Sequence, residues 1–345
     1  MRPSTGSGPS MKPTDPTAKS HPLLLFTILN LAGLLALLAV EAVVAERRWW
    51  GTFLTYMPQQ VALVPSILLL LIALKKRQPL AVRGNIAILV LGCVGLLGWN
   101  LPWPGDVAPG IPVRAMTFNV KHLSAGEARV IRTIQRAQPD VVFLQEAREL
   151  PALARSPRWR QAFPGWAMVK GGEVVILSRY PIRRHLAHPV IGTDRAMLEA
   201  VLDVDGTPVT AIAVHFTTAM TPRSMVTRGR SRRAYLRHTV EARRIQTAQL
   251  LAIAAHSPYP VLIAGDFNTP PKGVYYRQLT RQYRDLFRVA GWGPGYTFPT
   301  AFPVLRIDYL FAGPGIAGRQ CAPVRPTASD HLPLVAELAI RRGRR

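Results

Sequence analysis

Only two cysteines occur in 345 residues, Cys93 inside an apolar stretch and Cys321 far along the chain, so a disulfide within one domain is excluded. The spacing of cysteines and histidines gives no structural zinc site either. Acid is also scarce: 19 Asp and Glu stand against 43 Lys and Arg, for a net charge of +24. No internal repeat is present. What abounds is arginine, which far outnumbers lysine after residue 100 and is the better planar partner for phosphate.

The first hundred residues differ in composition from the rest. Residues 1–20, rich in Pro, Ser, Thr and Gly, read as a disordered tail. Apolar segments follow at about 22–44, 52–74 and 80–99, and about 20 apolar residues suffice to cross a bilayer, so 21–99 is expected to be an anchor of three transmembrane helices. The first two are too long and too uniformly apolar for amphipathic core helices, the third is at the limit of length, and three in succession argue against a signal peptide. Trp49, Trp50, Tyr56, Trp99 and Trp103 near the edges fit an interfacial belt.

Orientation follows from the basic residues. Arg2, Lys12 and Lys19 precede the first span, and Lys75, Lys76, Arg77 and Arg83 lie between the second and third, against only Arg47 and Arg48 between the first two. The expectation is an integral membrane protein with a cytoplasmic amino terminus and an extracytoplasmic soluble domain; a third segment that stays interfacial leaves that domain inside. Residues 100–111, with Pro102, Pro104 and Pro109, read as a linker of at most about 40 Å that holds the domain 112–345 near the bilayer.

Within that domain the most informative stretch is Gly265-Asp266-Phe267-Asn268, directly after the apolar run Pro260 to Ala264. A short β-branched run bounded by Gly reads as a buried strand, which delivers a carboxylate and an amide together at its carboxyl end, where open α/β sheets place ligands. Other apolar runs end or are flanked alike: 113–118 at Asn119, 140–145 at Glu146, 210–214 at His215, Asp308 ahead of Tyr309-Leu310-Phe311, and Asp330-His331 ahead of 332–335. Each has a duller explanation. Glu146 could be the first-turn acid of a helix starting near Ala147, Asp308 could pair with Arg306, His215 could be a core histidine, and Asp330 an N-cap.

In type, order and spacing these strand ends resemble the endonuclease/exonuclease/phosphatase superfamily of metal-dependent phosphoesterases. The resemblance covers roughly Pro112 to Ile340, through Phe118-Asn119-Val120, Leu144-Gln145-Glu146, Ile176 to Ile182, Val214-His215-Phe216, the Gly-Asp-Phe-Asn run, Ile307-Asp308-Tyr309 and Ser329-Asp330-His331. It implies an α/β (α+β) fold, a four-layer DNase I-like β-sandwich of two mixed sheets flanked by helices, with helical stretches at Glu127 to Ala137 and Thr239 to Ala255.

Phosphoester hydrolysis needs neutralised phosphoryl oxygens, an activated water and a stabilised leaving oxygen. Glu146 is the first choice as ligand to Mg²⁺ or Mn²⁺, and the resemblance adds Asn119 and Asp330 to the metal region. It also assigns Asp308 to orient His331, Asp266 to orient or deprotonate water, Asn268 to donate to a phosphoryl oxygen, and His215 to a second phosphate contact. Asp266 and His331 form a catalytic couple in which the residue taking the proton stays open. Two departures stand out: Glu173, where relatives carry small or apolar residues, is a surface residue or an extra acid near the cleft, and Phe216-Thr217-Thr218 replaces a Leu-rich continuation after His215.

A basic run, Arg223, Arg228, Arg230, Arg232 and Arg233, with Arg237, Tyr235 and His238 beyond it, is expected at the cleft rim as the substrate-binding segment. It either grips a nucleic-acid backbone, docks on anionic lipid headgroups, or is a solvated insert. The expected function is a membrane-anchored, divalent-metal-dependent phosphoesterase acting on a lipid-linked or headgroup phosphate in contact with membrane lipids; the alternatives are an extracytoplasmic nuclease and a non-catalytic tethered binding module. No obligate protein partner is implied.

Overall fold

The computed structural model describes residues 22–102, 109–149, 156–191, 193, 195–219, 232–325 and 327–343. The expected tail and the middle of the expected linker lie outside these. Among the described residues, twelve strands form two six-stranded mixed sheets. In the first, the order is β11 (Ile316–Pro323), β12 (Leu334–Ile340), β1 (Ile111–Asn119), β2 (Val141–Gln145), β4 (Val174–Ser178), β3 (Ala167–Gly171). The second runs β5 (Ile182–Pro189), β6 (Ala196–Val204), β7 (Thr207–His215), β8 (Val261–Asp266), β10 (Asp308–Ala312), β9 (Arg284–Asp285). Pairs β1–β2 and β7–β8 are parallel; the other neighbours are antiparallel.

The two-residue period of the strands builds the layers. Ala115, Phe143, Ile176, Ala213, Ala264 and Leu310 point between the sheets into one core. Their neighbours Phe118, Leu144, Ile263 and Phe311 point outward and are buried there too, under the helix Glu127–Ala137 on one side and under Arg232–Ala255 and Val274–Thr280 on the other. Strands covered on both faces read as continuous apolar runs, which is why 141–144 and 261–264 show no alternation. Each large side chain so buried contributes roughly 1.5–3 kcal/mol. This is the expected four-layer architecture. The second outer helix begins seven residues earlier than expected, at Arg232 rather than Thr239.

Register then brings the polar ends together. Asn119 pairs with Gln145, placing Glu146 one residue beyond, while Asp266 pairs with both His215 and Asp308. Only glycine fits at 265, where a Cβ lies 2.0 Å from the Val214 carbonyl oxygen on the adjacent parallel strand.

The apolar segments form helices Pro22–Val43, Trp49–Tyr56, Val64–Lys75 and Pro79–Leu91, the last continuing through a π turn to Leu96. Two are long and apolar enough to cross a membrane, Pro22–Val43 and Pro79–Leu96. The expected second span, 52–74, is not straight: Trp49–Tyr56 and Gln59–Lys75 meet at a 76° bend. The break falls at Met57-Pro58, where the proline closes the preceding helix. Lys272 and Gln59 meet Glu41, the Asn100 amide donates to the carbonyls of Phe287 and Gly291, and Trp99 stands edge-on to Trp292 at 5.5 Å. One end of the helical bundle thus packs directly on the β-sandwich domain.

Candidate active site

Six polar residues from five strand ends and one loop converge at one edge of the sandwich. Asn119, at the end of β1, donates through Nδ2 to Glu146 Oε1 at 3.0 Å and to Asp266 Oδ2 at 3.1 Å, tying the two sheets together. Glu146 has φ 53°, a left-handed kink that ends β2 and turns the carboxylate across the strand ends. Among the described residues, 147–149 are not helical, so the helix considered near Ala147 does not start there. Its ion-pair partners among the described residues are imidazoles, His122 Nε2 at 3.3 Å and His215 Nε2 at 3.9 Å.

Asp266 is buried and faces two histidines, with Oδ2 3.7 Å from His215 Nε2 and 3.8 Å from His331 Nε2. Its Oδ1 accepts the Asn268 backbone N–H at 2.8 Å. Burial, and after it the charge of Asp308, pushes the Asp266 carboxyl above the usual carboxylate range. His331 Nδ1 lies 2.9 Å from Asp308 Oδ2. Burial opposes charge on this ring, yet Asp308, with Asp266 and Asp330 after it, outweighs burial and lifts the imidazole to about 9. Arg306 does not pair with Asp308; it meets Asp285 at 2.7 Å inside the domain, so Asp308 is left for His331. Phe298 covers the other side of that ring, centroids 4.8 Å apart.

The remaining expected residues divide. His215 is at the site and is no apolar-core histidine. Asn268, at φ 46°, donates its amide to the Phe216 carbonyl at 3.0 Å, so one of its two N–H donors is held by the segment that follows β7. Asp330 lies beside His331 in sequence, but its carboxylate pairs with Lys121 Nζ at 2.8 Å and no helix follows for it to cap. Burial raises its pKa, and the stronger combined pull of Lys121 and His331 lowers it overall. Arg223, Arg228 and Arg230 lie outside the described residues; Arg232 opens the long helix, and Arg233 lies over the Trp49 ring at 5.8 Å.

Glu173, left open between surface and cleft, is an interior acid of the site. It is 5% exposed and stands 2.8 Å from His215 Nδ1 and 2.8 Å from Arg195 Nη1. Burial raises its pKa, but His215 and Arg195 more than offset this and bring it to about 2. The only sequence signal was an acid breaking an apolar run beside a Gly pair. Because its folded pKa is depressed below 4.5, its contribution is fully present above that pH and is lost as pH falls toward about 2. The loss is on the order of 3 kcal/mol. Thermal unfolding scans from pH 6 to about 2.5 are expected to show this drop in the native chain and its absence in Glu173→Gln, where no carboxylate titrates.

The donor set fits a hard cation. Glu146 offers carboxylate oxygen, while Asn119 turns its Nδ2 toward Glu146 and its Oδ1 accepts the Lys121 backbone N–H at 3.0 Å; no Lys or Arg ammonium or guanidinium occupies the position beside Glu146 among the described residues. A second group, Asp266, Asp308 and His331, has ligand atoms within 4.8 Å of one another, and Asp308 Oδ1 is buried without a hydrogen-bond partner.

Residues 116–331 match the Endonuclease/Exonuclease/phosphatase family. An uncharacterized protein, YbhP, of Escherichia coli K12 is 32% identical over 170 residues, covering 47% of this chain and 61% of the relative; that of Shigella flexneri matches equally. The chain thus spans about three-fifths of these curated relatives. Among solved structures, an endonuclease/exonuclease/phosphatase from Bacteroides vulgatus is similar with TM-score 0.52 and 18% identity, covering 67% of this chain and 99% of that one. The human Nocturnin catalytic domain with bound sulfate gives TM-score 0.51 and 15% identity, over 68% of this chain and 96% of that one.

Proposed function

The chain belongs to the endonuclease/exonuclease/phosphatase family, and from that premise we propose that it is a membrane-anchored, divalent-metal-dependent phosphoesterase of lipid-linked or headgroup phosphates. The observation that carries the substrate class is the loop 296–305, which joins the site to the anchor. Phe298 packs on His331, while the Tyr296 hydroxyl donates to the Leu97 carbonyl at 3.3 Å and the Gln60 amide to the Val304 carbonyl at 3.4 Å. Trp292 and Phe302 beside these ties are 67% and 73% exposed, an arrangement suited to an interface where amphipathic rings settle at headgroup depth. Arg233 over Trp49 supports docking of the neighbouring basic run, Arg223 to Arg232, on anionic headgroups rather than on a nucleic-acid backbone.

The bundle also supports the proposed orientation. The connection carrying Arg47 and Arg48 packs toward the soluble domain, where Arg277 Nη2 meets the Ala42 carbonyl at 2.9 Å, while Lys75, Lys76 and Arg77 follow the helix that leads away from it. With Gln59–Lys75 as the crossing half of the bent pair and Trp49–Tyr56 lying against the domain, three crossings put the soluble domain outside.

Glu146 and Asn119 are the proposed holders of the cation, with Asp330 in the same region once released from Lys121. Bound there, Mg²⁺ or Mn²⁺ supplies charge neutralisation and polarisation of the phosphoryl group. Asp266, held by one donor on each oxygen, orients a water and accepts its proton. His331, kept protonated by Asp308 at neutral pH, donates to a phosphoryl or leaving oxygen and stabilises developing charge. His215, backed by Glu173, offers a second donor to phosphate.

The test is a panel of plasmid, abasic duplex, sphingomyelin, inositol phosphate and undecaprenyl diphosphate, each with Mg²⁺ and the full chain in phosphatidylglycerol vesicles. Turnover of a lipid phosphate that rises with phosphatidylglycerol content is expected. Cleavage of plasmid or duplex with every lipid untouched reassigns the enzyme as a nuclease.

A further inference from the structure

The Asp266–Asn268 loop is held from behind by the membrane anchor. Glu46 and Arg243 form a wholly buried ion pair at 2.8 Å, each side chain 0% exposed. The same guanidinium donates to the Asn268 carbonyl at 2.9 Å, and the Tyr56 hydroxyl donates to that carbonyl as well. Tyr56 also accepts from Arg243 and lies beneath it, ring centroid 5.2 Å from the guanidinium carbon. Packing at this point is close: a Cβ at Gly273 lies 2.2 Å from Glu46 Oε2.

Two of these three side chains come from the anchor, Glu46 from the connection after the first apolar helix and Tyr56 from the end of helix Trp49–Tyr56, about 200 residues before the loop they hold. A fully buried Arg–Glu pair offers little net stability against apolar substitutes, but it is geometrically demanding. Here it ends on the carbonyl of a residue at φ 46° whose own N–H fixes Asp266 Oδ1.

We propose that the anchor segment Ala45–Tyr56 is a positioning strut for the active site, with Glu46 and Tyr56 acting through Arg243 and the Asn268 carbonyl to hold the Asp266 carboxylate in its working orientation. This rests on the reading of Asp266 given above. The anchor then has a second job besides tethering: it completes the loop that bears the water-activating acid. Loosening the strut leaves substrate contacts elsewhere intact and lets Asp266 wander, a fault of turnover and not of binding.

The experiment uses the full chain in vesicles with Tyr56→Phe and Glu46→Gln, both shape-conserving, and with Glu41→Gln as control. Glu41 makes a separate anchor tie, 3.1 Å to Lys272, with no contact to Asn268. Tyr56→Phe and Glu46→Gln are expected to lower kcat by about 10- to 100-fold with KM nearly unchanged, and Glu41→Gln to stay within about twofold of the native rate. Hydrogen exchange in peptide 265–269 is expected to quicken about tenfold in the first two only. Native kcat together with native exchange in Tyr56→Phe and Glu46→Gln overturns the strut, and so does loss of rate only in proportion to lost folded protein. A native chain inactive on every phosphoester removes the proposed function, while the exchange comparison still decides the strut.

Discussion

Replacing Asp266 by Asn is expected to lower turnover of a phosphodiester by about 10²–10⁴-fold, the range of a positioned general base. Both oxygens of Asp266 accept hydrogen bonds, Oδ1 from the Asn268 N–H and Oδ2 from Asn119 Nδ2. An amide in its place must turn an NH₂ toward one of these donors, so the substitution removes the charge and also sets donor against donor. It further removes one of the carboxylates that raise His331, although Asp308 at 2.9 Å remains the larger influence. Steady-state kinetics on the full chain decide the matter. A variant within tenfold of the native rate takes the proton-accepting role away from Asp266 and leaves His331 as the alternative.

Chelation is the second large effect. Treatment with EDTA is expected to reduce turnover to background, with recovery on adding Mg²⁺ or Mn²⁺, because no fixed protein cation beside Glu146 takes over the neutralisation of phosphoryl oxygen among the described residues. Glu146→Ala leaves Asn119 as a neutral donor there, and the Mg²⁺ concentration for half-maximal rate is expected to rise at least about tenfold. Titrating Mg²⁺ against rate in both chains checks this. Activity that survives EDTA, or a Glu146→Ala chain with an unchanged Mg²⁺ requirement, removes the metal from the mechanism.

Much of the site was legible because strand ends announce themselves locally. An apolar run of five or six residues closed by Asn119, Glu146, His215 or Asp266 needs no knowledge of its neighbours to be read as a buried strand presenting a polar group. The helix Glu127–Ala137 was equally plain, its apolar positions Val130, Ile131 and Ile134 recurring at helical spacing on the face that packs on β1 and β2. The bend at Met57-Pro58 was concealed, because uniform apolarity marks length and not direction.

Apolar runs and strand-end chemistry by themselves marked the helical segments and the polar strand ends, since each depends on residues close together in the chain, and the resemblance carried by those strand ends implied the family and its layered fold. Only the tertiary structure decided the partners. Arg306 turned to Asp285 and not to Asp308, Lys121 claimed Asp330, Glu173 lined up behind His215, and Glu46 met Arg243 across 197 residues of sequence. A buried charge must find its complement wherever packing brings one within reach, and that depends on how distant strands and helices assemble, which no local pattern records.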